Sequence, residues 1–251
     1  MKDFNRVALV SGAAQGIGFA CAEALSDDGA FVILADINED AVHQAATNIG
    51  NSATGICVDM SDAKAILKLF DIVETKFGPV EILVNNAGQA KPSDFLTYKI
   101  EDFDAVMNLN LRGPFVATQR AARAMIERKI EGSIINMSSI NAQLAIPTIP
   151  AYCASKGGLM QLTKAAALAL AQFNIRVNAV GPGSINTEML AGVNSDPSAM
   201  QTVLSRTPIK RLGDAKEVAN VVAFLASQKA SYVTGETIYV DGGRLGLNYL
   251  S

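Results

Sequence analysis

The sequence predicts an α/β fold, a doubly wound seven-stranded parallel sheet with helices on both faces. Short β-branched runs alternate with longer helical patterns along all 251 residues. Most of the short runs are apolar throughout, which is typical of parallel strands that are buried on both faces. No linker, repeat or low-complexity stretch divides the chain. We therefore expect a single domain over residues 1–251.

Seven strands are predicted, at Arg6–Ser11, Phe31–Ala35, Thr54–Val58, Ile82–Val84, Ser133–Met137, Ile175–Ala179 and Thr237–Val240. Helical patterns fill the intervals, at 16–28, 39–49, 62–77, 101–128, 152–172 and 215–227. Asp62 and Asp214 stand where helix N-caps are expected, and Gly29 and Gly78 where helices should stop. The polar region 184–212 interrupts the alternation, and we expect it to form a mobile loop–helix flap.

Composition excludes several classes of function. Apolar residues make up 49% of the chain and charged residues 18%, so a large core can form. The net charge is −3 and no run of lysine or arginine forms a basic patch, which disfavours nucleic-acid binding. No uncharged apolar stretch reaches the roughly 18 residues of a membrane span. There is no signal-peptide pattern, so we expect a soluble, cytoplasmic protein with no membrane partner.

Metal and disulfide chemistry are also disfavoured. His43 is the only histidine, and Cys21, Cys57 and Cys153 form no CxxC pair. We therefore predict no metal site and reduced cysteines. His43 is interpreted as a solvated side chain and Cys153 as a packed one.

A glycine-rich loop follows the first strand. The residues Ser11-Gly12-Ala-Ala-Gln15-Gly16-Ile17-Gly18 lead directly into a helical pattern. Glycines at these positions allow a tight turn, the close approach of a pyrophosphate and close helix–sheet packing. The helix N-terminus then offers unpaired N–H groups to an anion. In this context the loop predicts a dinucleotide site rather than a simple structural turn.

An acidic residue ends the second strand. Asp36 lies 18 residues after Gly18, where a carboxylate can accept both ribose hydroxyls of an adenosine. Its charge would repel a 2′-phosphate, and neighbouring Ile37, Asn38 and Gln15 provide no positive charge. The cofactor predicted is therefore NAD rather than NADP. Asp36 could instead cap the next helix.

Tyr152 and Lys156 are four residues apart, which places them on one face of a predicted helix. The ammonium group would favour the ionised phenol, whose ordinary pKa of about 10 is too high for a base at neutral pH. Ser139 lies 13 residues before Tyr152, just past the end of a strand. Ligands of open α/β sheets bind in the crevice at the carboxyl ends of the strands. The three side chains therefore predict a proton-transfer site.

On these motifs the chain resembles the classical short-chain dehydrogenase/reductase family from end to end. The matching motifs, in chain order, are Gly12-xxx-Gly16-x-Gly18, Asp59, Asn85-Asn86-Ala87-Gly88, Asn110-Leu-Arg-Gly, Ser139, Tyr152-xxx-Lys156, Pro182-Gly183 and Tyr232-Val-Thr-Gly-Glu-Thr-Ile-Tyr-Val-Asp-Gly-Gly243. Ser11 departs from the threonine that is most common in the family but keeps a hydroxyl. The resemblance implies a single-domain Rossmann fold and hydride transfer between a nicotinamide cofactor and a small molecule.

The resemblance also implies roles for individual residues. Tyr152 would be the general acid/base and Ser139 would hold the substrate oxygen. Lys156 would lower the pKa of Tyr152 and bind the nicotinamide ribose, and Asn110 would support a proton-relaying water. The cofactor would lie against Gly12, Gln15, Gly16, Ile17, Gly18, Asp36, Ile37, Asp59, Met60, Asn86, Ala87, Gly88, Tyr152, Lys156, Pro182, Gly183, Ile185 and Thr187. Asn85 and Ser138 are interpreted as structural.

The substrate is less closely defined. The expected contacts are Ser139, Asn141, Gln143 and Tyr152, and polar side chains in a pocket favour a hydroxylated ligand. With 6% aromatic residues and no tryptophan, a flat aromatic pocket is disfavoured. We expect a sugar, a polyol or a small hydroxy acid.

Two alternatives stay open. One is a 3-oxoacyl-(acyl-carrier-protein) reductase, although the relatives with that activity usually use NADPH and carry basic residues near the glycine loop. The other is a non-catalytic NAD(H)-binding sensor or scaffold on the same fold. The resemblance also implies a homotetramer, built from the helices predicted at 101–128 and 152–172 and from the C-terminal segment.

Overall fold

The computed structural model describes residues 6–188 and 196–246. The described strands are β1 (Arg6–Ser11), β2 (Ala30–Asp36), β3 (Ala53–Cys57), β4 (Ile82–Asn85), β5 (Ser133–Met137), β6 (Arg176–Pro182) and β7 (Thr237–Val240). Each lies where the sequence predicts a strand: β1, β5 and β7 have the predicted ends, and the ends of the other four differ by at most three residues. The largest difference is in β6, which extends to Pro182 because that segment pairs with Val240 of β7.

The α-helices are α1 (Gly16–Asp27), α2 (Glu39–Ile49), α3 (Ala63–Phe77), α4 (Ile100–Met107), α5 (Gly113–Glu127), α6 (Pro150–Leu170), α7 (Pro197–Ser205) and α8 (Ala215–Ala226). Short 3-10 turns occupy 95–97, 140–142, 171–173 and 228–230. None of these described helices is long and apolar enough to cross a membrane.

The strands form one sheet in the order β3-β2-β1-β4-β5-β6-β7, and every neighbouring pair is parallel. Chain order runs outward in one direction from β1 to β3 and in the other from β4 to β7. The reversal between β1 and β4 opens a crevice at the carboxyl ends of these strands, which is where such sheets bind ligands. The predicted doubly wound Rossmann-like fold is confirmed.

Alternate residues of the strands enter two separate hydrophobic cores. In β1, Ala8 and Val10 face a core built with α1, α2 and α8, whereas Val7 and Leu9 face a core built with α3, α5 and α6. Because both faces of the sheet are covered, the central strands have no face turned to solvent. This accounts for their mostly apolar sequences.

Helix ends follow the predicted caps. The Asp62 side chain accepts from the Lys64 N–H at the start of α3, and Gly78 ends that helix with φ +98°. Asp214 forms a capping box with Glu217 at the start of α8. Gly29 follows α1 with φ +87°, a conformation that glycine adopts without strain.

The prediction of one helix over 101–128 is wrong in one respect. A π-helical turn at Asn108–Arg112 separates α4 from α5. Such turns are rare and occur frequently at functional sites. The helix α7 lies within the flap predicted at 184–212. Residues 189–195 of that flap lie outside the described residues.

The packing predicts the effect of a large-to-small substitution. Phe70 of α3 is fully buried in the second core, beneath the guanidinium of Arg120 at 5.7 Å from the ring centre. We expect Phe70→Ala to lower the free energy of unfolding by about 3–5 kcal/mol, measured by urea denaturation at a fixed protein concentration. Phe95→Ala is the control, because Phe95 is 67% exposed. Equal effects of the two substitutions would contradict this account of the core.

Candidate active site

A cleft of about 330 Å³ lies at the switch point of the sheet. The predicted cofactor residues that line it are Gly12, Gln15, Gly16, Ile17, Gly18, Asp36, Ile37, Asp59, Met60, Asn86, Ala87, Gly88 and Thr187. Val58, Leu109 and Glu188 also line it and were not predicted. Each of the three adjoins a predicted residue in the sequence, but a side chain next to a motif carries no signal of its own.

Hydrogen bonds hold the glycine loop against the segment after β4. The Asn86 side-chain amide donates to the carbonyls of Ser11 and Gly12, both at 2.9 Å. The Ser11 hydroxyl accepts from the N–H groups of Asn86 and Ala87 at 3.0 and 3.1 Å. The hydroxyl that this chain keeps at position 11 therefore fixes the loop after β4 to the glycine loop.

The glycine loop fits a pyrophosphate group. A Cβ atom at Gly18 would overlap the Gly12 carbonyl and the Asn86 amide, and Gly12 has φ +62°. Gln15, the N-cap of α1, makes no side-chain cap hydrogen bond. The first-turn N–H groups of α1 therefore remain available to an anion in the cleft.

Asp36 links the end of β2 to the glycine loop. One carboxylate oxygen accepts from the Ala14 N–H and the other from the Asn38 N–H, both at 3.1 Å. The cap of α2 is Asn38, which accepts from the Ala41 N–H, so the reading of Asp36 as the helix cap is wrong. Asp36 instead lies in the cleft wall.

Lys156 is buried beside Tyr152. Its ammonium group donates to the Met137 carbonyl at the end of β5 at 2.6 Å and lies 5.5 Å from the centre of the Tyr152 ring. Burial lowers the pKa of Lys156 to about 8. No carboxylate of the described residues forms an ion pair with it.

Tyr152 and Ser139 form the second pair. Burial raises the pKa of Tyr152 above its ordinary value, and the hydrogen bond to the Ser139 hydroxyl opposes that rise. The net direction is a rise, because the desolvation of the phenolate is the largest effect. That Lys156 lowers this pKa stays a prediction.

Asn110 lies inside the π-helical turn and is fully buried. Its side chain accepts from the Gln89 N–H at 2.9 Å and donates to the Gln89 carbonyl at 2.9 Å and the Ser155 hydroxyl at 3.1 Å. A Cβ at Gly88 would lie 3.3 Å from the Asn110 oxygen and 3.5 Å from the Lys156 nitrogen. The structure thus brings Asn110 and Lys156 together at the end of the cleft.

Pro182, Gly183 and Ile185, which are predicted cofactor residues outside the lining of the cleft, lie at the end of β6 and just after it. The Gly183 N–H donates to the Val240 carbonyl at 2.9 Å, and Ile185 pairs with Gly213. Pro182 ends the strand. Thr187 approaches the glycine loop, because a Cβ at Gly16 would lie 3.5 Å from the Thr187 methyl group.

The predicted substrate residues lie beyond Ser139. The Asn141 N–H donates to the Ser139 hydroxyl at 3.1 Å, and the Gln143 amide donates to the Tyr239 hydroxyl at 2.8 Å. Asn85 and Ser138, interpreted as structural, make buried contacts. Asn85 donates to Asn136 and Thr118, and Ser138 donates to the Lys156 carbonyl. His43 and Cys57 are exposed, and Cys153 is half-buried.

Comparison with known proteins supports this description. The sequence model of a family described as enoyl-(acyl carrier protein) reductase matches residues 12–244. The 3-oxoacyl-(acyl-carrier-protein) reductase FabG of Thermotoga maritima is 41% identical over 246 residues, covering 97% of this chain and 99% of that protein.

Solved structures are similar over nearly the whole chain. A gluconate 5-dehydrogenase from Burkholderia cenocepacia, in complex with NADP and tartrate, has a TM-score of 0.92 and 34% identity, covering 97% of this chain and 96% of the other. A short-chain type dehydrogenase/reductase from Mycobacterium marinum has a TM-score of 0.91 and 33% identity, covering 96% and 95%. The chain belongs to the classical short-chain dehydrogenase/reductase family of oxidoreductases, whose fold binds a nicotinamide cofactor.

Because Lys156 is a buried charge at the candidate active site, we expect its removal to stabilise the fold while lowering the activity. Lys156→Met removes the charge at similar size. Below pH 8 the wild-type lysine is charged, and its depressed pKa means that burial of this charge destabilises the fold. The penalty disappears as the pH rises from the folded pKa towards the unfolded pKa of about 10.4. The lost hydrogen bond to Met137 offsets part of the gain.

We therefore expect Lys156→Met to be more stable than wild type at pH 7, by roughly 1–3 kcal/mol, with an advantage that shrinks towards pH ~10. Oxidoreductase activity should fall by about 10²–10⁴. Urea unfolding at several pH values measures the first effect. Lys64→Met, on an exposed side chain, is the control and should show no such pH dependence. A Lys156→Met variant less stable than wild type at pH 7 would contradict the account.

Proposed function

We propose that the protein is an NAD-dependent dehydrogenase that interconverts a secondary alcohol and a ketone in a sugar, polyol or small hydroxy acid. The observation that carries the cofactor preference is the position of Asp36 in the cleft wall, held by Ala14 and Asn38. A carboxylate there accepts the adenosine ribose hydroxyls and repels a 2′-phosphate. Ile37 and Gln15, which share the cleft, offer no compensating cation.

Each of the four catalytic residues has a separate role in proton transfer. When bound, the nicotinamide accepts or donates the hydride, and the protein supplies orientation and proton transfer. Tyr152 removes the hydroxyl proton in oxidation and returns it in reduction, while Ser139 holds the same substrate oxygen. Lys156 provides a fixed positive charge beside the phenol, and Asn110 supports the water that carries the proton onward.

A hydroxylated substrate is supported by the polar groups next to Ser139. The Asn141 amide donates to the Leu144 carbonyl at 3.2 Å and the Gln143 amide donates to the Tyr239 hydroxyl at 2.8 Å, so polar groups adjoin this side of the site. Polar groups in a pocket favour a ligand that can pair with them. The similarity to a gluconate 5-dehydrogenase agrees with a hydroxylated substrate, whereas the cofactor bound in that structure is NADP. The free thiols of Cys21, Cys57 and Cys153 fit a reducing, cytoplasmic setting.

Reduction of a 3-oxoacyl thioester is the second candidate function. It is favoured by the 41% identity to FabG of Thermotoga maritima, which covers nearly both chains. Against it stands the acidic residue at position 36, which opposes the phosphorylated cofactor expected for that activity. The two proposals therefore differ in cofactor as well as in substrate.

One assay separates the two functions. Nicotinamide absorbance is followed with NAD or NADP against polyols, aldoses and hydroxy acids, and with NADH or NADPH against ketoses and an acetoacetyl thioester. Heat-inactivated protein is the blank. We expect turnover of a hydroxylated substrate with NAD. Turnover of the thioester alone, with NADPH, would replace the proposal with the second candidate.

Asp36 should decide the cofactor. In wild type, we expect kcat/KM for NAD to exceed that for NADP by at least ~100-fold, the size of a typical charge repulsion of about 3 kcal/mol. Asp36→Asn should lower the ratio of kcat/KM for NAD to that for NADP by about tenfold or more. Asp40→Asn removes an exposed carboxylate nearby and should leave the ratio unchanged. A wild-type preference for NADP would be incompatible with the role assigned to Asp36.

We also propose that the protein is a homotetramer. A groove of about 430 Å³ between α4, α5 and α6 is lined by Met107, Asn108, Leu111, Arg112, Phe115, Gly158 and Leu162. Phe115 is 46% exposed there, and Leu168 further along α6 is 83% exposed. Large apolar side chains exposed on neighbouring helices are typical of an interface between copies of a chain.

A negative charge introduced into this groove should disrupt the tetramer. Light scattering should give four times the chain mass for wild type and a smaller species for Phe115→Glu. Leu67→Glu is the matched control, since Leu67 is 44% exposed on α3, away from the groove. A wild-type monomer at micromolar concentration would remove the proposal.

A further inference from the structure

Four polar side chains lie in the hydrophobic core that the sheet builds with α3, α5 and α6. They are Asn85 of β4, Thr118 of α5, Asn136 of β5 and Thr163 of α6, and none is more than 5% exposed. Replacing both partners of a buried hydrogen bond by apolar groups of the same shape costs little and can stabilise a fold. The presence of these four side chains therefore indicates a role other than stability.

Hydrogen bonds join the four side chains into one network. The Asn136 amide donates to the Thr163 hydroxyl at 2.9 Å, and that hydroxyl donates to the Leu159 carbonyl at 2.8 Å. The Asn85 amide donates to the Asn136 side-chain oxygen at 2.8 Å and to the Thr118 hydroxyl at 3.2 Å. The network therefore connects β5 to α6 at Thr163, and β4 to α5 at Thr118.

The bond between Asn136 and Thr163 belongs to a series of contacts between α6 and the end of β5. Lys156 and Thr163 are seven residues, or two helical turns, apart, and both are buried. They are therefore about 10 Å apart along the helix axis. The pairs, from the active site inward, are Tyr152 with Ser139, Lys156 with Met137, and Thr163 with Asn136.

Other contacts of α6 do little to fix its position along the sheet. Apart from Lys156 and Leu159, the side chains that it buries are small: Ala151, Ser155, Thr163 and Ala167. Apolar contacts are non-directional, whereas a hydrogen bond depends on distance and angle. A displacement of α6 by about 1 Å would move Tyr152 and Lys156 relative to Ser139, and errors of that size can lower a rate by about 10²-fold.

We propose that Asn136 and Thr163 are positioning residues, which hold the catalytic groups of α6 in place against the end of β5. Neither residue lines the cofactor cleft, so both act through Tyr152 and Lys156. This inference rests on the proposed proton transfer at Tyr152, but it does not depend on which substrate is oxidised or reduced.

The test compares two substitutions of the same chemistry. Thr163→Val and Thr118→Val each replace a buried hydroxyl that accepts from an asparagine amide of the network. Only Thr163 lies on the helix that carries Tyr152 and Lys156. Thr163→Ser keeps the hydroxyl and is the conservative variant. Rates are measured for gluconate and sorbitol with NAD, and for acetoacetyl-coenzyme A with NADPH, so that turnover of any one of the three suffices.

Both valine variants should have a melting temperature lower by roughly 2–10 °C, since each leaves a buried asparagine N–H unpaired. Only Thr163→Val should lower kcat, by about 10- to 100-fold, with KM for the cofactor within about twofold of wild type. Lys156 would then lie farther from Tyr152. The limb of the kcat–pH profile that reports Tyr152 should therefore move to higher pH, by roughly half a unit or more. Thr163→Ser should recover most of kcat.

Crystal structures of wild type and the two valine variants give a readout that needs no turnover. In Thr163→Val, the distance from the Lys156 ammonium to the Met137 carbonyl should rise from 2.6 Å beyond the hydrogen-bond range of about 3.2 Å. In Thr118→Val this distance should stay as in wild type.

Equal losses of kcat in Thr163→Val and Thr118→Val would overturn the proposal, because the effect would then be one of stability. An unchanged kcat in Thr163→Val, or a lowered kcat with an unchanged pH profile, would overturn it as well. If wild type turns over none of the three substrates, the proposed function fails by itself. The distance between Lys156 and Met137 then decides the positioning role, which a longer distance in Thr163→Val alone supports and an unchanged distance refutes.

Discussion

The active site depends on a positive charge held inside the protein without an acidic partner. Lys156 is 3% exposed, and its ammonium group donates to the Met137 carbonyl at the end of β5. An unpaired buried charge is unfavourable, and the depressed pKa of about 8 expresses that cost. The packing of α6 on the sheet must hold this group in place beside Tyr152. Burying this charge lowers the stability of the fold, and in return a cation lies beside the Tyr152 phenol.

The surrounding structure serves to place groups from distant parts of the chain against this charge. The π-helical turn turns Asn110 towards Gln89 and Ser155, which lies one residue before Lys156. On the other side of the crevice, Ser11 and Asn86 join the glycine loop to the segment after β4. One end of the cleft therefore suits an anion and a ribose, and the other suits proton transfer. Both ends are fixed by hydrogen bonds between side chains and the backbone of distant segments.

The sequence predicts the parts of this structure that local chemistry determines. Strands buried on both faces are apolar, and Asp62 and Gly78 have the side chains that helix ends require. The π-helical turn was missed because Asn108–Arg112 continues the helical pattern on both sides. The raised pKa of Tyr152 depends on how deeply the fold buries the phenol. That burial is not encoded by spacing along the chain.

The central claim is that Tyr152 exchanges a proton with the substrate while the cofactor is bound elsewhere in the cleft. The direct measurement is the rate of hydride transfer by Tyr152→Phe in a single turnover, together with its affinity for NADH by fluorescence titration. We expect the affinity to stay within about twofold of wild type and the rate to fall by about 10²–10⁴, the contribution of a general acid/base. NADH binding with a rate unchanged by the substitution, or with no turnover in either protein, would contradict the claim and leave a binding protein on an enzyme's fold.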